Sequence, residues 1–109
     1  IKRVRTADGE PIFEENIFVP FDAYRELLTA DLEDKSIFAE VERVGGTPIV
    51  SVGYRTVEAV RANTEQAAEL GIAPHDPLLN LRAGFTGPNG EPVLMGKQYY
   101  VGSRYVMVM

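Results

Sequence analysis

Cysteine is absent from all 109 residues, which excludes disulfides and thiolate metal sites and agrees with a cytoplasmic location. Histidine is almost absent too. The one histidine, His75, has no second imidazole with which to form a metal pair, and its place in the Pro74 to Pro77 loop reads as solvent-exposed. Ser51, Ser103 and this histidine offer no nucleophile–base pairing that spacing supports, so no catalytic residues are assigned. No apolar run approaches the roughly 20 residues that cross a bilayer, and no signal peptide is visible, so no membrane partner is expected. Positive charge is scarce: 11 Lys and Arg face 16 Asp and Glu, a net charge of −5. A chain so poor in clustered cations is not built to grip phosphate backbones itself.

What is present is an ordinary globular composition, 45% hydrophobic and 25% charged, in a length that suits one domain with one core. The chain begins at Ile1 inside a strand pattern and reads as a fragment. Ile1 to Thr6 alternates apolar and basic residues, and Pro11 to Val19 continues as a strand. A three-residue turn at Ala7-Asp8-Gly9 would pair Thr6 with Glu10 and Arg3 with Phe13. Arg3, Arg5, Phe13, Glu15 and Ile17 then share one face, and Lys2, Val4, Ile12 and Glu14 the other. A two-residue Asp8-Gly9 turn would invert that relation.

Pro20 ends this strand. A short helix is expected from Asp22 to Ala30, and a second from Ser36 to Val44, with Gly45-Gly46 as its stop. Thr47 to about Ala62 reads as a long strand. Asn63 and Gln66 form a capping box for a third helix that Gly71 ends. Pro77 to Thr86, Glu91 to Gly102 and a short Arg104 to Met109 segment supply the last strands. The fold class is α+β, an antiparallel sheet of long hairpins with short helices.

Several side chains could carry function. Arg3 and Arg5, at i and i+2 on a strand, place two guanidiniums on one face about 6.5 Å apart. That spacing suits an anion clamp or, equally, a solvated edge strand. Glu15 stands in an otherwise apolar row, where a carboxylate must pair with an arginine or accept hydrogen bonds from a ligand. Ser36 starts the second helix, where it can cap or help bind an anion. Tyr100 shares a face with Leu94, Gly96 and Gln98, and Gly96 leaves space beside the ring. The acidic group Asp31, Glu33 and Asp34 reads as a solvated loop.

Two Gly-Glu-Pro hairpins, Gly9-Glu10-Pro11 and Gly90-Glu91-Pro92, bracket the chain. Between them lie Ser36-Ile37-Phe38 at a helix start and Ala67-Ala68-Glu69-Leu70-Gly71-Ile72 at a helix end, followed by the run from Glu91 to Tyr105. In that order these features resemble the UTRA domain, the effector-binding half of HutC-type regulators in the GntR superfamily, over essentially the whole chain. The resemblance implies a chorismate-lyase-like fold truncated at its N-terminus, spanning residues 1–109, with further strands and a winged-helix DNA-binding domain upstream. It implies a small anionic metabolite as effector, a homodimer, no cofactor, and DNA contact only through the upstream domain. Ligand-binding positions implied by the resemblance are Arg3, Arg5, Glu15, Ser36, Phe38, Leu94 and Tyr100. Phe38 stands where relatives often carry a tyrosine, and Leu94 where amino-sugar-binding relatives carry a glutamate. Both departures point to a less hydroxyl-rich ligand. The alternatives are a lyase acting on a small anion, since fold similarity alone does not fix activity, or a dimerisation module with no ligand.

Overall fold

The chain first reverses at Asp8-Gly9, where both residues adopt positive φ, 53° and 79°. Two left-handed residues in succession make the tight turn whose twist matches paired strands. In this computed structural model, which describes residues 1–33 and 35–108, the turn joins β1 (Lys2–Ala7) to β2 (Glu10–Phe18). The turn is therefore two residues long, with Ala7 opposite Glu10, rather than the three expected. A bulge compensates. The register slips between Arg5 and Thr6, so that Arg5 faces Phe13 and Arg3 faces Glu15. Turn and bulge each shift the pairing by one residue, and together they restore the expected division of faces. The partners differ: Arg3 opposes Glu15, not Phe13.

After Pro20 comes α1 (Phe21–Tyr24), continued by a single 3₁₀ turn over Arg25–Leu28 in place of one longer helix. Tyr24 and Leu27 are buried while Leu28 is exposed. The second helix, α2 (Ile37–Gly45), starts at Ser36, whose Oγ accepts from the Ala39 amide at 3.3 Å, and stops at Gly46 with φ 70°. β3 (Ser51–Arg61) begins later than expected. α3 (Thr64–Leu70) carries the expected Asn63–Gln66 capping box and ends at Gly71. β4 (Pro77–Thr86) and β5 (Pro92–Val101) complete the fold. The strands form one antiparallel sheet in the order β1-β2-β5-β4-β3. Residues 104–108 form no strand, contrary to expectation. Asp34 of the acidic loop and Met109 of the expected last strand lie outside the described residues.

The helices cover the sheet unequally. On one face α1, the 3₁₀ turn and α2 pack Tyr24, Leu27, Ile37 and Val41 against Ile17, Val93 and Leu94. Each such aliphatic side chain contributes about 1.5–3 kcal/mol by burial. The bulge at Val93, between the Phe85–Leu94 and Thr86–Pro92 pairs, lets two consecutive residues enter that core. On the other face α3 packs Ala67 and Leu70 on Leu78 and Val101. There Lys2 ion-pairs with Glu69 at 2.8 Å, Glu65 at 3.2 Å and Glu14 at 3.8 Å, as its expected face requires.

Candidate functional site

On the α2 face, pairing aligns Arg3, Glu15 and Gln98 side by side across β1, β2 and β5. An Arg3 guanidinium nitrogen donates to Glu15 Oε1 at 3.1 Å. The second terminal nitrogen donates to the carbonyls of Leu32 and Lys35, each at 3.0 Å, tying β1 to the segment that leads into α2. Gln98 Nε2 donates to Glu15 Oε2 at 3.5 Å, and the Tyr100 hydroxyl donates to Gln98 Oε1 at 2.9 Å. Glu15 is only 6% exposed, so this chain of contacts is what makes a carboxylate tolerable there. Burial pushes the Tyr100 hydroxyl up to about 12, helped by Tyr105 and the Glu15 charge. At neutral pH it is a proton donor.

The neighbouring rows complete the surface. Arg5 opposes Phe13, which opposes Tyr100, with ring centroids 4.6 Å apart; Tyr105 also packs against Tyr100, its ring tilted and 4.2 Å away. In the other direction Ile17, Gly96, Ala83 and Arg55 lie in one row across β2, β5, β4 and β3. Gly96 and Ala83 have almost no side chain, so the sheet is hollow there. A cavity of about 290 Å³ opens over them, walled by Phe38 and Phe85, with Gln98 and Arg55 as polar groups and Tyr105 and Met107 at its rim. Phe38 meets Phe85 edge to face at 5.0 Å.

The candidate residues thus fall into distinct places. Arg3, Glu15 and Tyr100 are joined through Gln98. Arg5 shares their face, half-buried, without an ion pair among the described residues. Phe38 lines the cavity. Ser36 caps α2 and is itself exposed. Leu94, 4% exposed, belongs to the helix-side core and does not line this cavity. Gln98 was visible only as a row-mate of Tyr100, and Arg55 and Phe85 were not singled out. Their relation to the site depends on strand order, which local alternation does not encode.

The comparisons with known proteins fit this architecture. Residues 1–106 match the family described as the UTRA domain. The HTH-type transcriptional repressor NagR of Bacillus subtilis (strain 168) is 33% identical over 108 residues, which cover 99% of this chain and 44% of that protein. The structure of a GntR-family transcriptional regulator from Enterococcus faecalis V583 superposes with a TM-score of 0.84 at 27% identity, covering 99% of this chain and 76% of that one. PhnF from Mycobacterium smegmatis shares the fold, with a TM-score of 0.88 at 22% identity over 98% of this chain and 47% of its own. An antiparallel α+β sheet of this topology is the class to which these regulator domains belong. The chain belongs to the UTRA domain family. It spans less than half the length of the repressor it matches, 44%.

Proposed function

We propose that this chain is the small-molecule-sensing domain of a bacterial, cytoplasmic transcription regulator rather than an enzyme. The observation that carries the reading is the hollow over Gly96 and Ala83, set beside the buried network of Arg3, Glu15, Gln98 and Tyr100. A ligand seated there touches side chains from β3, β4, β5 and α2 at once, so it favours the arrangement in which these elements close around it. A DNA-binding region elsewhere in the whole protein would read that change. The available energy is the difference in ligand affinity between the two arrangements, typically about 1–3 kcal/mol.

The relatives are named as regulators, which supports a sensor over a lyase. Glu15 also has both carboxylate oxygens engaged by protein donors, leaving it poorly placed to act as a general base. The effector is proposed to be anionic, and the domain to be a homodimer. A thermal-shift screen with sugar phosphates, amino acids and small organic acids tests the sensing role. A true ligand at a hundred times its Kd raises stability by about 2.7 kcal/mol. A screen in which nothing shifts the transition argues for a module without ligand.

A further inference from the structure

Among the described residues bordering the cavity, Arg55 alone carries a charge. The ion pairs of the fold engage Arg3, Arg25, Arg43 and Arg104, and Arg55 takes part in none of them among the described residues. Arg3, by contrast, is spent on Glu15 and two carbonyls. We propose that Arg55 is the anion anchor of this cavity, and that its ligand is a small carboxylate with an apolar body. This deepens the sensing role proposed above and rests on it.

Three features of the cavity argue for that ligand class. One guanidinium balances one negative charge, and its planar fork matches a carboxylate bidentately. Phe38, Phe85 and Leu81 give the walls an apolar character suited to a ring or branched chain. Among the described residues, Gln98 and, at the rim, the Tyr105 hydroxyl are the other polar groups bordering the cavity, and the Gln98 amide is already engaged by Glu15 and Tyr100. A ligand rich in hydroxyls would leave them unpaired against these walls, a penalty that an apolar body avoids. The distance from Arg55 to the floor also fits. The row Arg55, Ala83, Gly96 spans two strand spacings, about 10 Å, which leaves the apolar body lying over Ala83 and Gly96 with its carboxylate at the β3 edge.

Gly96 supplies an independent handle. A Cβ built there meets nothing nearer than Ile17 Cδ1 at 3.4 Å, an ordinary contact. Alanine therefore leaves the fold intact while raising the cavity floor.

The test is a proton–nitrogen NMR titration of the 109-residue chain with phenylacetate and 3-phenylpropionate, alongside phenethyl alcohol as a neutral body and glucosamine 6-phosphate as a hydroxyl-rich anion. The carboxylates are expected to shift the Ala83 and Gly96 amides and the Arg55 side-chain resonance. Arg55→Gln should weaken them by roughly 10- to 100-fold, the loss of a charged hydrogen bond. Gly96→Ala should weaken them too, and Arg82→Gln, on the opposite face, should not. Carboxylate binding that survives Arg55→Gln but is lost in Arg5→Gln overturns the anchor while leaving the sensing role standing. Tighter binding of glucosamine 6-phosphate than of either carboxylate overturns the ligand class. If none of the four compounds shifts any cavity resonance, the anchor and the ligand class are overturned, while the sensing role stands or falls with the broader thermal-shift screen.

Discussion

Arg3 and Glu15 face each other directly across β1 and β2, and their charged groups meet at 3.1 Å with both side chains largely buried. This pair is a structural commitment as well as a neighbour of the cavity. Its energetics follow from burial: the charges are desolvated, so each is stable only while the other remains.

We predict that Glu15→Ala lowers stability by about 3–5 kcal/mol, because it leaves the Arg3 guanidinium buried without its carboxylate. Urea denaturation followed by circular dichroism measures this. A loss below about 0.5 kcal/mol, the range of ordinary surface substitutions, would show the pair to be solvated.

Leu94→Glu is predicted to unfold the domain or nearly so. The leucine is packed among Ile17, Val93 and the helix residues, and an unpaired carboxylate there bears the full cost of desolvation. Restoring a glutamate at this position is therefore expected to damage the core before it can improve binding of an amino sugar. A wild-type melting temperature in the variant would contradict the core assignment.

The β3 edge is predicted to pair two copies of the chain. β3 is a sheet edge eleven residues long, with Val52, Tyr54 and Val57 exposed along it, a strand that natural proteins seldom leave open. β5 cannot play this part, because it lies at the centre of the sheet. Light scattering should return twice the chain mass, and Val57→Lys should return one. A monomer at micromolar concentration argues against the pairing.

Alkaline pH should destabilise the domain in part through Tyr100. Its proton is held up to about 12 in the folded state, against an ordinary value of 10.0. The folded state therefore keeps a proton that the unfolded chain gives up. Stability from this source is complete below the ordinary value and is lost progressively up to the folded one, about 2 kcal/mol in all. Lys2, raised chiefly by its hydrogen bond to Glu69, acts in the same direction from 10.5 upward. Tyr100→Phe should flatten the fall between pH 10 and 12 in denaturant midpoints; an unchanged slope would place the hydroxyl in water.

The sequence made some of this legible and hid the rest for physical reasons. The capping box at Asn63, the Ser36 cap and the glycine stops are local, so short-range patterns identify them. The faces of β1 and β2 were legible as well, because alternation survives when two register shifts cancel. Strand order was not, since nothing within β3 says that it lies outermost or that β5 lies inside. The cavity inherits that gap: Tyr100, Glu15 and Arg3 stand out as polar residues in apolar rows, whereas Arg55 gains meaning only once β4 brings Ala83 between it and Gly96.

Arg104 gives the segment after β5 a mechanical role. Its guanidinium donates to the carbonyls of Leu70 and Pro11, at 2.9 and 3.1 Å, and pairs with Glu10 at 2.9 Å. One side chain thus pins the tail of α3, the start of β2 and the backbone that carries Tyr105. The ring at the cavity rim is consequently geared to the first hairpin. A molecule that displaced Tyr105 would either strain that pin or drag the hairpin with it, which is the route by which the proposed ligand would move the first hairpin.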